Sequence, residues 1–149
     1  METLIVWFLD KAMAFIKFSS GYRTPSLTGR MEKPVFYREK KVYPVYLTLE
    51  PGTSDITFEN ISCNCSFYLP DEEYGHSLFW DLGSEQRVYR PDQKAPNPYI
   101  KSIHLNGNGL PKEELFFVDP EGNSFIEFKI RSQSRFFIAR TLTWKRSVV

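Results

Sequence analysis

Four side chains in this sequence are of the types that bind zinc, namely Cys63, Cys65, His76 and His104. Zinc takes four nitrogen or sulfur donors in tetrahedral geometry, and structural sites usually separate paired cysteines by about two to four residues. The single residue between the two cysteines is tighter than that spacing. The sequence therefore predicts no metal site and no cofactor.

The same thiols are candidate nucleophiles, because Cys65 and His76 or His104 can meet in space without being adjacent in sequence. Both cysteines, however, lie in an apolar alternation, where a buried thiol behaves as a small hydrophobe. On one strand their side chains stand about 6.5–7 Å apart, at or beyond the limit for a disulfide. We therefore expect free thiols and no catalytic residue.

Free thiols are typical of a reducing compartment, which favours a cytoplasmic protein. The apolar run from Leu4 to Leu9 ends at Asp10, so we expect no signal peptide, and no stretch has the length of a transmembrane segment.

Aromatic residues make up 16% of the chain, an excess that favours β structure and also suits binding surfaces. Four of them lie near loops and are the candidate platform for a flat ligand or a sugar: Tyr74, Trp80, Tyr89 and Tyr99. A carbohydrate-binding module is accordingly one hypothesis, and ordinary cross-strand packing is the alternative.

The net charge of +1 argues against a nucleic-acid partner. Cations nevertheless collect near the C-terminus, where no acidic residue follows Lys129. The candidate anion-contacting residues are Arg131, Arg135, Arg140, Lys145 and Arg146. A solvated strand face is the alternative interpretation of these charges.

Residues 1–18 have the pattern of an amphipathic helix, with a wide apolar arc opposite Asp10 and Lys17. Such a helix covers the domain's own sheet, docks on a protein partner or a second copy, or lies in a membrane interface. The candidate partner-binding residues are Leu4, Trp7, Phe8, Phe15 and Phe18.

Residues 19–34 are polar, with Pro25, Gly29 and Pro34 as breaks, and predict a loop or linker. Alternation with a period of two residues then runs through 35–149, which we interpret as one domain. Pro44 is typical of an edge strand or a strand's first residue. A parity switch near Asn60 predicts a bulge or tight turn.

Two further segments predict turns. Residues 106–109 read Asn-Gly-Asn-Gly, and residues 119–123 predict a hairpin loop. The eight or nine strand-like runs predict an all-β fold, an antiparallel two-sheet sandwich with jelly-roll or Greek-key-like order and one N-terminal amphipathic α-helix.

The functional hypothesis is a non-catalytic binding module. It engages a protein partner or a second copy of itself through aromatic surface and the N-terminal helix. A structural assembly protein, such as a small coat- or matrix-like subunit, is the alternative.

Overall fold

The computed structural model describes residues 23–37, 39–69, 94, 97–98, 102–134 and 137–148. The N-terminal helix predicted over 1–18 lies outside the described residues. So do most of the residues between Leu69 and Ser102, where further strands were predicted.

Within these ranges the structure is all-β, and no helix occurs among the described residues. The strands in chain order are β1 (Ser26–Met31), β2 (Val35–Tyr37), β3 (Lys40–Glu50), β4 (Ile56–Cys63), β5 (Ser66–Tyr68), β6 (Ile103–Leu105), β7 (Lys112–Asp119), β8 (Phe125–Ser134) and β9 (Phe137–Ser147).

The strands form two antiparallel sheets. A five-stranded sheet has the order β1-β3-β7-β5, with β2 also paired to β3, and a four-stranded sheet has the order β6-β4-β8-β9. The predicted all-β, antiparallel two-sheet architecture is confirmed, whereas the jelly-roll or Greek-key order stays a prediction.

The main core consists of the alternate residues that each sheet turns toward the other. Val45, Leu47 and Leu49 on β3 are fully buried, as the alternation predicted. They share one cluster with residues from the opposite sheet, among them Phe58, Phe128, Ile130 and Trp144. Burial of this apolar surface is the main favourable term in folding.

The bulge predicted near Asn60 is confirmed. The pairing of β4 with β8 shifts between Glu59 and Ser62, and Asn60 has a φ of 55°. Asparagine tolerates this left-handed conformation better than most residues. Because of the extra residue, Phe58 and Ile61 are both fully buried although they are three positions apart.

The interpretation of 19–34 as a loop is wrong for Ser26–Met31, which forms β1 at the edge of the five-stranded sheet. Its register runs from Ser26 opposite Glu50 to Met31 opposite Val45. Leu27 is buried and Met31 packs against the main core, so the strand does alternate. Pro25 before the strand and Gly29 within it are typical of loops, and the half-buried pattern is only six residues long, so the sequence did not indicate a strand here.

Pro44 was expected at an edge, yet it lies inside β3, a strand with neighbours on both sides. Its carbonyl accepts a hydrogen bond from the Glu32 amide at 2.9 Å. The N and C=O of one strand residue point to the same side. The proline nitrogen therefore faces the break between β1 and β2, where little is lost by its missing N–H.

Both predicted turns join different sheets. Residues 106–109 connect β6 of the four-stranded sheet to β7 of the five-stranded one, and residues 119–123 connect β7 to β8. The hairpin expected at 119–123 is therefore wrong, because its flanking strands pair with other partners. Local turn chemistry is the same for a hairpin and for an arch between two sheets.

Gly29 marks the side of the molecule where the edge strands β1 and β9 of the two sheets meet. A Cβ at this position would lie 2.8 Å from Trp144 Nε1 and 3.0 Å from Leu47 Cδ2. The first distance is shorter than a Cβ tolerates, and the second requires Leu47 to shift by a few tenths of an ångström, so the close approach of the Trp144 ring favours glycine here.

Gly29→Ala is therefore expected to lower the free energy of unfolding by about 1–3 kcal/mol, because the new methyl group overpacks a rigid aromatic contact. Equilibrium denaturation with urea measures the loss. The matched control is Thr28→Ala on the same strand, where an exposed side chain changes and less than about 1 kcal/mol is expected. Equal losses in both variants would contradict the packing argument.

Candidate functional site

The two cysteines lie at a corner between the sheets. Cys63 ends β4 in the four-stranded sheet, and Cys65 immediately precedes β5 in the five-stranded sheet. The chain therefore crosses from one layer to the other at Asn64 and Cys65. Both thiols are free and buried, as the sequence predicted.

Asn64 holds this corner in place through the first residues of β8. Its amide N–H donates to the Glu127 carbonyl at 3.2 Å, and its side-chain oxygen accepts from the Glu127 N–H at 2.8 Å. Its side-chain NH₂ donates to the Phe125 carbonyl at 3.0 Å. The asparagine side chain thus replaces the ladder bonds that β4 loses where it leaves the sheet.

Asn97 binds the other side of the corner. Its NH₂ donates to the Cys63 carbonyl at 2.6 Å, and its side-chain oxygen accepts from the Cys63 N–H at 3.3 Å. The Asn97 side chain, from a distant part of the chain, thereby bonds both backbone groups of Cys63. The Cys63 thiol is directed into the main core.

Burial governs the protonation of both thiols. Desolvation raises the pKa of Cys63 from 9.0 to about 12. Desolvation also raises the pKa of Cys65, against a smaller lowering effect of the Asn123 amide that donates to its sulfur at 3.5 Å. Since the thiolate is the nucleophile, two protonated and enclosed thiols are unsuited to covalent catalysis.

The zinc candidates are not brought together. His104 is exposed and its Nδ1 lies 3.0 Å from the Thr57 hydroxyl, across the outer side of the four-stranded sheet, whereas both thiols belong to the main core. His76 lies outside the described residues. In the part of the chain that the structure describes, no three potential ligands form a group.

The raised pKa of Cys63 makes stability depend on alkaline pH. The unfolded chain loses the thiol proton near pH 9, while the folded protein keeps it to about pH 12. The contribution is complete below pH 9 and is lost as pH rises, at about 1.4 kcal/mol per pH unit within this window. Denaturant titrations at several pH values are expected to show this slope, reduced in Cys63→Ala. A constant difference between the two proteins from pH 8 upward would contradict it.

The five-stranded sheet is also apolar on the face turned away from the main core. The side chains of this outer cluster are Val35, Tyr37, Val42, Tyr46, Tyr68, Leu115 and Phe117. The ring centroids of Tyr37 and Phe117 are 4.7 Å apart. Val42 is 0% exposed and Phe117 is 1% exposed, values typical of a core and not of a sheet surface.

Polar groups border the outer cluster. Beside β5, Lys40 donates to the Tyr68 hydroxyl at 2.9 Å, a bond that raises the pKa of the lysine. The Ser66 hydroxyl in the same region donates to the Glu121 carboxylate. At the opposite border the Arg30 guanidinium lies 4.0 Å from the centre of the Tyr46 ring.

The outer cluster was not among the sites predicted from the sequence. Its signal was present in β7, where Leu115-Phe116-Phe117-Val118 is a continuous apolar run with all four residues buried. Such a run is typical of a strand covered on both faces, whereas a strand with one wet face alternates. The other members come from β2, β3 and β5, so no local window contains them together.

The C-terminal cations do not occupy one face. Arg131 pairs with Glu59 at 3.4 Å, and Lys145 lies over the Phe125 ring at 4.2 Å. In the pairing of β8 with β9, Arg140 lies opposite Ser132 and Arg146 lies opposite Ile126, and both of these β8 residues are buried. Arg140 and Arg146 therefore belong to the other side of the sheet from Arg131 and Lys145. Arg135 lies outside the described residues. The described members of the candidate anion-contacting set are thus divided between the two sides of the sheet.

The remaining predicted sites fall outside the described residues. These are the candidate platform of Tyr74, Trp80, Tyr89 and Tyr99, and the candidate partner-binding residues Leu4, Trp7, Phe8, Phe15 and Phe18.

Two large apolar side chains stand in solvent among the described residues, Phe36 at 76% exposed and Leu110 at 83%. Phe36 lies on β2, opposite Lys41 of β3, and points away from its neighbours Val35 and Tyr37 of the outer cluster. No described strand pairs with the other edge of β2. The hairpin of β2 with β3 therefore presents an exposed aromatic ring on a strand that has a single neighbour among the described strands.

No family model, curated protein or solved structure matches this chain. The residues that the structure describes include no helix with the length and apolar character needed to cross a bilayer.

Proposed function

We propose that this chain is a non-catalytic module that engages a protein partner or a second copy of itself. The observation that carries the proposal is the exposed Phe36 ring on the edge strand β2. An exposed edge offers main-chain hydrogen bonds to an added strand, and an aromatic side chain beside it supplies an anchor that becomes buried on binding.

The chemistry of the thiol corner supports the non-catalytic part of the proposal. Cys63 and Cys65 are the strongest nucleophile candidates in the sequence, and their burial and raised pKa values favour a packing role. A cytoplasmic location belongs to the same proposal, because free thiols are typical of reducing compartments.

An assembly role remains part of this proposal as its second-copy form. In that form two β2 edges pair across a twofold axis, so that each Phe36 approaches the partner copy. A small coat- or matrix-like subunit with jelly-roll or Greek-key order would use such contacts.

Phe36→Lys is expected to weaken association about tenfold or more, because a charge on the edge opposes strand pairing and the aromatic anchor is lost. Light scattering coupled to size exclusion, over a dilution series from millimolar to micromolar protein, measures the second-copy form. For the form that engages a different protein, calorimetry with the isolated partner measures the binding affinity.

The matched control is Leu110→Lys, which places the same charge at an equally exposed apolar position outside the hairpin. Association should be unchanged in this control. Equal weakening by both substitutions, or an association that neither of them affects, would remove the hairpin from the proposal.

A further inference from the structure

The outer cluster is buried although it faces away from the main core. The described strands form two sheets, and the four-stranded sheet packs against the opposite face of β3 and β7, in the main core. Val42 and Phe117 are nevertheless 0% and 1% exposed. A further apolar segment is therefore required over this face as a third layer.

We infer that residues 1–18 of the same chain form this third layer by docking their apolar arc on the outer cluster. The arc contains Leu4, Ile5, Phe8, Ala12, Phe15 and Ile16, and the polar sector with Asp10 and Lys17 lies opposite. A helix with such an arc suits a flat apolar sheet face with polar borders.

The point where the described chain begins supports this placement. The Arg23 N–H donates to the Thr53 hydroxyl at 2.7 Å, and the Thr53 N–H donates to the Arg23 carbonyl at 3.0 Å. Thr53 closely follows the end of β3 at Glu50. The preceding residues therefore start at this end of the sheet.

The dimensions agree with a helix that runs back along β3. From Glu50 to Val42 the strand covers about 27 Å, at about 3.4 Å per residue. An 18-residue helix is about 27 Å long. Four residues, Ser19 to Tyr22, remain for the turn between helix and Arg23.

The long internal segment after Leu69 is a poorer candidate for the same face. It opens with Pro70 and three acidic residues, and Lys94 near its end forms a bridge with Tyr68 on β5. This bridge places Lys94 in the plane of the sheet, beside its edge, and not across the face.

Photo-cross-linking in the full-length chain tests the inference. Phe8→benzoylphenylalanine places a reactive ketone in the apolar arc, and Asp10→benzoylphenylalanine, the matched control, places it in the polar sector. After irradiation, mass spectrometry is expected to find position 8 joined to β3 or β7 at or beside Val42, Leu115 or Phe117. This cross-link should be lost when the probe is at position 10.

Mixing heavy-isotope-labelled and unlabelled protein before irradiation shows whether the two linked peptides come from one chain. Cross-links of mixed mass would overturn docking within the same chain and assign the layer to a second copy. Cross-links elsewhere, or the same pattern from both positions, would overturn the inference entirely. Neither result touches Phe36, so the hairpin proposal stands or falls on its own measurement.

Discussion

The apolar character of β7 on both faces is the constraint on which the rest of the structure depends. Phe116 and Val118 belong to the main core, while Leu115 and Phe117 belong to the outer cluster. A strand of this kind is typical of a sheet that is covered on both faces. The five-stranded sheet therefore has the requirements of a central layer, and the four-stranded sheet, with polar residues such as Glu59, Lys129 and Arg131 in its outward positions, is an outer one.

The path of the chain follows from the need to build both layers together. Four of the connections whose residues the structure describes, β3 to β4, β4 to β5, β6 to β7 and β7 to β8, pass between the sheets, and β5 and β6 also belong to different sheets. Each crossing interrupts strand pairing and releases backbone groups that need partners. At the crossing from β4 to β5 the Asn64 side chain meets this need. It bonds the Glu127 N–H and the Phe125 carbonyl in place of the ladder bonds that β4 would make if it continued. Its neighbours Cys63 and Cys65 are buried because a corner between two sheets lies at the border of the core.

The sequence predicted the elements whose alternation is local and complete. Val45, Leu47 and Leu49 identified the buried face of β3, and the parity change near Asn60 identified the bulge. Partner choice was not predictable in the same way, since residues 119–123 have the chemistry of a hairpin loop but join strands of different sheets. Pro44 showed the same limit, because its tolerance inside β3 depends on a break between β1 and β2 that only the tertiary arrangement creates.

The candidate surfaces were less predictable than the fold because they combine distant segments. The outer cluster unites β2, β3, β5 and β7, and only β7 carries a local sign of it. Phe36 is conspicuous only because Val35 and Tyr37 on either side point to that cluster, which turns the aromatic ring between them to solvent. β2 thus contributes Val35 and Tyr37 to the outer cluster and exposes Phe36 to solvent. Both follow from one alternation, because successive side chains of a strand point to opposite faces.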